Sequence, residues 1–506
     1  MNPTTAFPWM IALPLVAAPI IYLIGRLSVR SRAQSAAPAR WMAIVVLLAT
    51  AVLAFFAGQP IIQGKTLTLT FYAISLRLDG VALLLGATVT FLGLMVAVFS
   101  LRYMHGDEGE EKYYALLVAM VGSIIGLGCA ADLFNLWVWF EVMAISSFML
   151  VAFYRDQPAS LEAGLKYLVQ SAAGSVLILL GIALVFASTG MLDLAAIRTV
   201  VSGPAPILIA AGALFIIGFG VKAAFVPLHT WLPDAHSQAP SGISAMLSGI
   251  VIEAGLVAML RALGALAAVS SLWGVLLLIF GAFNMLIGNL MALRQEQVKR
   301  LLAYSSVSHL GYMLVGLGAS ITFPLMVGTN GAEGAFFHLF NHATMKGLAF
   351  LSVGALLYAL HIARGDHGPL VLSDLDGASR RYPAVAFSLA VAVLALGGLP
   401  PLSGFMSKWM IFVAGFQSQN GWMIALVIFM ALNSVLSLGY YAPLVNRMFR
   451  HTPAPIVENG ARVSFSMRLP LALLTLLTVV LGFWPTLLSW LTAPAASALM
   501  AWFGVQ

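Results

Sequence analysis

The stretch GFGVKAAFVPLHTWLPDAH, residues 218–236, interrupts an apolar run with a lysine, prolines and two histidines. The run begins with PILIAAGALFII at residue 206 and is long enough to cross a bilayer. Pro227 removes a backbone hydrogen bond from any helix that contains it. A charged side chain at mid-span costs about 2.5–3.5 kcal/mol on insertion scales, so Lys222 is a functional candidate by default. The stretch therefore predicts a broken transmembrane helix with an ionisable group beside the break.

The composition extends the membrane interpretation to the whole chain. Of the 506 residues, 61% are hydrophobic and only 8% are charged, against roughly 25% charged in soluble domains. We predict an all-α polytopic membrane protein. Its fourteen predicted spans lie at about 7–25, 41–59, 79–101, 114–131, 133–154, 164–189, 206–231, 242–262, 272–292, 299–318, 333–360, 384–415, 421–447 and 468–492.

Cofactor chemistry is not indicated in this chain. Its single cysteine, Cys129, excludes cysteine-ligated iron–sulfur clusters, zinc sites built on cysteines and intrachain disulfides. No glycine-rich nucleotide motif occurs, and the longest connections, about twenty residues each, are too short for a cofactor-binding domain. We expect no cofactor, no metal site and no redox chemistry here, so any electron transfer belongs to partner chains.

The orientation follows from the basic residues. With the N-terminus outside, most of the 25 Lys and Arg residues fall in inner loops, as the positive-inside rule requires. Only Lys65, Arg77, Arg198 and Arg261 fall on the outer side. Both termini are then predicted outside, and the net charge of +7 needs no nucleic-acid partner. The first span lacks a basic leader, which favours a retained helix. Alternation in residues 66–78 predicts a small external hairpin.

Four charged residues of alternating sign lie near mid-span. They are Glu141 in the fifth span, Lys222 in the seventh, Glu253 in the eighth and Lys408 in the twelfth. A desolvated lysine releases its proton readily, whereas a neighbouring carboxylate keeps it charged. Such a series is typical of a proton relay.

The twelfth span is interrupted like the seventh. It contains Gly397, Gly398, Pro400, Pro401 and Gly404 in the eleven residues before Lys408. Paired broken helices in corresponding positions of two halves indicate an internal inverted repeat and a transport site. Proline kinks that only shape packing are the alternative, and the lysine near each break favours the transport interpretation.

Histidines add to this polar series. His338, His342 and Lys346 are spaced four residues apart and share one face of the eleventh span, while His309 lies mid-span in the tenth. Histidine titrates near neutrality and can pass a proton between its two nitrogens. A metal site on His338 and His342 lacks a completing ligand and is not favoured.

Two further histidines, His229 and His236, lie in the loop-like end of the seventh span. They either gate water and proton uptake from the inner side or hold the break together. The residues do not distinguish these roles.

Five stretches carry a resemblance to a known family. They are FNLWVWFEVMAISSF (134–148), KAAFVPLHTWLPDAHSQAPSGISAMLSG (222–249), KRLLAYSSVSHLGYM (299–313), HLFNHATMKGLAFL (338–351) and GLPPLSGFMSKW (398–409). The chain resembles the antiporter-like proton-translocating subunits of respiratory complex I, membrane-bound energy-converting hydrogenases and multisubunit cation/proton antiporters. The resemblance covers roughly residues 75–450.

The resemblance implies a domain organisation. Residues 1–110 would hold helices 1–3 and the hairpin, residues 111–265 a first five-helix repeat (helices 4–8), residues 266–450 a second, inverted repeat (helices 9–13), and residues 451–506 helix 14. Helices 7 and 12 would be broken.

The resemblance also implies roles. Glu141 and Lys222 would pair, His309, His338, His342 and Lys346 would continue the polar axis, and Lys408 would lead to the outer exit. Two positions, Glu253 and Gln297, depart from the family pattern. Relatives commonly carry lysine or histidine where Glu253 stands, and often an acid where Gln297 stands. Lys408 argues against the complex I member with an acid there.

The leading functional hypothesis is a proton-translocating subunit of a multisubunit complex in the bacterial plasma membrane, partnered by other membrane subunits. One alternative is a module of a multisubunit Na⁺/H⁺ antiporter, in which Na⁺ is also moved. Another is a membrane scaffold for a redox or carbon-concentrating enzyme, with a degenerate relay. The sequence leaves the host complex open.

Overall fold

The architecture was analysed in a computed structural model that describes residues 1–31, 35–72, 74–365 and 368–504. Through residue 265 the elements are α1 (Pro3–Arg30), α2 (Ala37–Ile62), β1 (Leu67–Phe71), β2 (Ile74–Leu78), α3 (Gly80–Tyr103), α4 (Glu110–Cys129), α5 (Leu133–Val151), α6 (Pro158–Thr189), α7 (Leu194–Val200), α8 (Pro206–Lys222), α9 (Trp231–Gln238), α10 (Ser241–Met246) and α11 (Ile252–Ala265). A π turn, Leu247–Val251, joins α10 to α11.

The remaining elements are α12 (Trp273–Ala292), α13 (Val298–Thr322), α14 (Pro324–Val327), α15 (Asn330–Leu360), α16 (Ala378–Arg381), α17 (Pro383–Gly397), α18 (Ser403–Gln417), α19 (Gly421–Met448), α20 (Pro455–Glu458), α21 (Phe465–Phe483) and α22 (Ser489–Trp502). Four short 3₁₀ turns, Ala267–Val269, Ile362–Arg364, Leu372–Leu375 and Pro485–Leu488, lie between them.

The chain folds as an all-α integral membrane protein. Among the described residues, 12 helices are long and apolar enough to cross a membrane. Two shorter apolar helices, α8 and α17, stand where the interrupted seventh and twelfth spans are predicted. Each break falls where proline and glycine interrupt the helix, as the sequence predicts.

Polarity determines which helices lie in the centre. The most apolar windows of α10–α11, α13 and α15 are 100% buried, whereas only 28% of the corresponding window of α19 is buried. The central helices carry the charged and histidine residues, which a lipid-facing surface cannot accommodate cheaply. The polar residues are therefore enclosed by apolar helices.

The two halves share an order of helix lengths. The 32-residue α6 precedes the interrupted pair α8 and α9, and the 31-residue α15 precedes the interrupted pair α17 and α18. This pattern is compatible with the predicted repeat.

The predicted hairpin is present. Strands β1 and β2 pair antiparallel, from Leu67 opposite Leu78 to Phe71 opposite Ile74. Ala73, in its turn, lies outside the described residues. The hairpin marks one end of the helix bundle, called the hairpin end below.

The C-terminal region differs from the sequence expectation of one span at 468–492. Helix α21 ends at Phe483, because Pro485 follows and cannot continue the hydrogen-bond ladder. A separate helix, α22, then packs across α3 at the hairpin end. A Cβ atom on Gly80 would lie 2.1 Å from the carbonyl oxygen of Pro494, so the two backbones are in direct contact.

Candidate functional site

The first interruption separates α8 from α9. The buried Asn284 of α12 bonds to the freed backbone on both sides: its Oδ1 accepts from the Val226 N–H at 2.9 Å, and its Nδ2 donates to the Ala224 carbonyl at 3.2 Å. The Trp231 indole donates to the Val221 carbonyl at 2.7 Å. Backbone groups at membrane depth need such partners, so the neighbouring side chains stabilise the break.

Lys222 is the last residue of α8, directly before the break. Its Nζ lies 3.2 Å from the Ser147 hydroxyl and 4.3 Å from the centre of the Tyr167 ring. The Tyr167 ring stacks on Trp231 at 4.0 Å. The ammonium group is thus held by a hydroxyl and an aromatic face, which attracts cations.

Glu141 does not contact Lys222. It is half-buried on α5, and its buried Oε1 has no hydrogen-bond partner among the described residues. Among the described residues, no ion pair of 4.0 Å or less joins the Glu141 and Lys222 side chains. The resemblance implies a pair; the Glu141 carboxylate interacts electrostatically with Lys222, whose direct polar and aromatic contacts are with Ser147 and Tyr167.

Glu253 and His342 form a closed pair at the centre of the bundle. A Glu253 carboxylate oxygen lies 2.6 Å from His342 Nδ1, and both side chains are 0% exposed. Glu253 follows the π turn, a kind of distortion that is frequent at functional sites. The packing also brings α11 against α8, since a Cβ atom on Gly255 would lie 3.3 Å from that of Lys222.

The His342 ring lies beside two further histidine rings, those of His309 and His338. The ring centres of His309 and His342 are 5.3 Å apart, and His309 Nδ1 lies 3.1 Å from His338 Nε2. The other nitrogen of His338, Nδ1, lies 2.8 Å from the Ser407 hydroxyl. The contacts of His338 with His309 and Ser407 join groups that can both donate and accept a proton, whereas His309 and His342 meet by ring stacking and His342 Nε2 has no hydrogen-bond partner among the described residues.

Lys408 follows Ser407 and lies at the second interruption. Its Nζ donates to the Leu396 carbonyl and to the Ser434 hydroxyl, both at 2.9 Å. The Tyr312 ring centre lies 4.6 Å from the same nitrogen. Lys408 therefore has the same kind of environment as Lys222, with a serine hydroxyl, a tyrosine face and a broken helix.

Lys346 lies on the same face of α15 as the two histidines. Its Nζ donates to the Leu302 carbonyl at 2.8 Å and contacts the Ser305 hydroxyl, both on α13. It is fully buried.

His229 and His236 lie apart from the central cluster. His229 is in the break and faces the Tyr304 ring at 6.2 Å. His236 is on α9, a short helix where the sequence suggests a loop, and its ring stacks on Phe350 at 4.8 Å. Both ring nitrogens of His236 are buried with no hydrogen-bond partner among the described residues.

Several residues of this site escape sequence reasoning. Ser407, Ser147, Ser434 and Asn284 are small polar residues in apolar helices, and nothing in their sequence spacing marks them. Tyr167 and Tyr312 look like ordinary packing aromatics. Only the position of Ser407 next to Lys408 is a usable signal.

The geometry brings together Glu253, His342, His309 and His338, and the Tyr312 ring lies between His338 and the Lys408 ammonium group. Lys222 packs against α11, the helix that carries Glu253, and Lys346 lies on α15 with His338 and His342. Among the described residues, no group of three or more His, Cys, Asp or Glu side chains is arranged to hold a metal. The site is thus a buried row of proton-exchanging groups.

Comparison with known proteins identifies the family. The family model described as "NADH:quinone oxidoreductase/Mrp antiporter, TM" matches residues 130–434. The model of the N-terminus of "NADH-Ubiquinone oxidoreductase (complex I), chain 5" matches residues 68–114. The chain belongs to the NADH:quinone oxidoreductase/Mrp antiporter family of transmembrane subunits, which confirms the resemblance.

Individual relatives agree with this assignment. NADH-quinone oxidoreductase subunit N 2 of Roseiflexus castenholzii is 34% identical over 420 residues, 81% of this chain and 82% of that protein. F(420)H(2) dehydrogenase subunit N of Methanosarcina mazei is 30% identical over 442 residues, covering 85% and 86%. A chain of the membrane-bound sulfane sulfur reductase, an archaeal respiratory membrane complex, superposes with a TM-score of 0.86 at 27% identity, covering 99% and 100%.

Proposed function

We propose that this chain moves protons across a bacterial plasma membrane as one subunit of a multisubunit respiratory complex. Its partners are other membrane subunits, and the redox chemistry belongs to those partners. The observation that carries the proposal is a buried cluster of titratable groups: Glu253 contacts His342, the His342 ring stacks on His309, His309 contacts His338, and the Tyr312 ring lies against both His338 and Lys408. Relatives named as subunits of respiratory enzymes support the multisubunit setting.

The row has the chemistry that proton transfer requires. Each imidazole can accept a proton on one nitrogen and release one from the other. Ser407 would link His338 to the neighbourhood of Lys408, because a hydroxyl both donates and accepts. Protons would enter from the inner side past His229 and His236, load the central axis and leave through Lys408.

Lys222 and Glu141 would act as the switch. When the two approach, the carboxylate keeps the ammonium charged, and when they separate, Lys222 loses its proton more readily. The arrangement in which Lys222 contacts Ser147 and Tyr167 would be the separated state. Lys346, buried against α13, would contribute a positive charge that acts electrostatically on the histidines.

The proposed direction of proton movement follows the predicted membrane topology. Both termini would lie outside, and the hairpin end would be the outer side. The N-terminal helices would occupy residues 1–110. The two inverted repeats would be residues 111–265 and 266–450, and the last helix would lie in residues 451–506. The similar order of helix lengths in the two halves supports the repeats.

A Na⁺/H⁺ antiporter module is the second candidate, because the matching family model also covers Mrp antiporters. Sodium-dependent proton movement in vesicles without an electron donor favours this candidate. Proton movement that requires the electron donor favours the respiratory subunit. A scaffold with a degenerate relay predicts that variants of Lys408 and Glu253 leave activity unchanged.

The test measures proton pumping in vesicles that contain the intact complex. Lys222→Ala and Glu141→Ala should each abolish most of the pumping, while Lys112→Ala should leave it unchanged. Lys112 lies in the first turn of α4 and outside the polar row. Wild-type pumping in both variants, with the complex assembled, would overturn the relay.

A further inference from the structure

The basic residues at the hairpin end converge on one place. Two adjoining cavities of about 290 and 590 Å³ lie here. Each of the four basic residues predicted on the outer side lines at least one of them: Lys65, Arg77, Arg198 and Arg261. Arg77 and Arg198 belong to the walls of both. The sequence separates these residues widely, so the fold has gathered them.

Most of this positive charge has no carboxylate partner. Arg261 pairs with Asp79 at 3.0 Å. No carboxylate lies within 4.0 Å of the charged groups of Lys65, Arg77 or Arg198 in the part of the chain that the structure describes. The Nε atom of Arg77 is buried and has no hydrogen-bond partner there.

The acidic residues at the cavities are already engaged. Asp79 accepts bonds from Arg261 and from the Ala82 N–H. Asp193 accepts from the Ala195 and Ala196 N–H groups at 3.0 and 2.8 Å, as the N-cap of α7. The cavities therefore carry an excess of positive charge.

Arg198 is also fixed in position. Its Nη1 donates to the Ala501 and Trp502 carbonyls at 2.7 and 3.0 Å, at the C-terminal end of α22. Burial and the nearby charge of Arg77 lower the pKa of Arg198. Two guanidinium groups that repel each other beside an open cavity are stabilised by an anion between them.

The larger cavity continues from this charged end onto an apolar wall. Ile62 at the end of α2 and Trp490, Pro494 and Ala498 of α22 form the wall. Ile62 is 38% exposed and Trp490 47% exposed, and the same face of α2 continues into Phe55. A tryptophan beside basic residues is typical of the membrane interface. Charge at one end and exposed hydrocarbon at the other match a phospholipid better than a free ion or an acidic peptide.

We propose that the larger cavity binds an anionic phospholipid, whose phosphate is held by Arg77, Arg198 and Lys65 and whose acyl chains lie along Ile62 and Trp490. Arginine suits this role because its planar donors match phosphate oxygens. The lipid would cover the junction of the hairpin, α2 and α22. The site is independent of the proton row.

The experiment counts lipids retained by the protein in its native complex. The complex is purified from membranes, reconstituted in nanodiscs of phosphatidylcholine with a minor share of phosphatidylglycerol, released, and analysed by native mass spectrometry. Arg77→Gln should reduce retained phosphatidylglycerol several-fold, and Arg77→Lys should restore most of it. Arg294→Gln, an exposed arginine at the other end of the bundle, is the matched control and should retain the wild-type amount.

Two further arms identify the source of the phosphate. Inorganic phosphate at millimolar concentration should not displace the lipid, and phosphatidylcholine alone should not occupy the site. Equal retention in Arg77→Gln and Arg294→Gln would overturn the proposal. So would displacement by inorganic phosphate alone, which would indicate a free-anion site. Loss of folding in Arg77→Gln is checked by the melting temperature, and Lys65→Gln, at an exposed position, then repeats the comparison.

Discussion

His342 Nδ1 lies 2.6 Å from a carboxylate oxygen of Glu253, and neither side chain is exposed. At this distance an ionised carboxylate stabilises a protonated imidazole, and a neutral carboxyl group donates to an imidazole instead. The pair can thus hold one proton in two ways. A relay with an acid at this position would store its proton at the centre of the bundle, between Lys222 and the histidine cluster.

Glu253→Gln tests this storage role. The amide keeps the shape and a hydrogen bond to His342 but cannot be ionised, so proton pumping in vesicles should fall by about tenfold or more, the effect of roughly 1.4 kcal/mol. Glu296→Gln, at an exposed position, is the control. Unchanged pumping in Glu253→Gln would mean that the carboxylate only fills space.

Ser407→Ala tests the link between the histidines and Lys408. The substitution removes the hydroxyl that lies 2.8 Å from His338 Nδ1, so pumping should fall several-fold while the complex still assembles. Ser407→Thr keeps the hydroxyl and should retain most of the activity. Ser418→Ala, a buried serine at the end of the same helix, should have no effect on pumping. Equal rates in Ser407→Ala and wild type would exclude the serine from the path.

Asn284→Ala tests whether the first break depends on its side-chain partner. The variant leaves the Val226 N–H and the Ala224 carbonyl unpaired, and each buried unpaired group costs about 1–3 kcal/mol. The melting temperature of the purified complex should fall clearly. Asn446→Ala, at an exposed position of α19, should not change it. A wild-type melting temperature in Asn284→Ala would show that the break needs no such partner.

Gly482→Ala tests the packing at the second break. A Cβ atom here would lie 1.9 Å from the Pro401 carbonyl oxygen, so α21 must move away from the break, at a cost of about 1–3 kcal/mol. The melting temperature should fall, and pumping should fall with it because Lys408 is positioned by this region. Gly421→Ala is the control, since nothing lies within 4 Å of its added atom. Equal stability of the two variants would contradict the contact.

Much of the fold could be predicted from sequence because hydrophobic length and interruptions are local properties. The broken helices follow from Pro227 and from Pro400 and Pro401, and the hairpin follows from strict alternation. The predicted last span, 468–492, is wrong at its C-terminal end, because Pro485 follows the end of α21 and hydrophobic length alone does not reveal that stop. The 3.6-residue pattern alone does not reveal that α22 lies across another helix.

The site was predictable in its charged members and not in its partners. Glu253, Lys222 and Lys408 are recognised because ionisable groups are rare in apolar spans. Their contacts depend on which helices meet in space, and that information is nonlocal. Ser407 and Asn284 therefore become visible only in the three-dimensional arrangement, as do the contacts of Lys222 with Ser147 and Tyr167.

The contact between Gly80 and Pro494 has a consequence for biosynthesis. At 5–20 residues per second, Pro494 is made roughly 20–80 s after Gly80. Throughout that interval the inserted N-terminal half lacks the helix that covers α3. The packing of α3 is therefore complete only after α22 has been made, and a premature stop codon before α22 would leave this face of α3 without its partner helix.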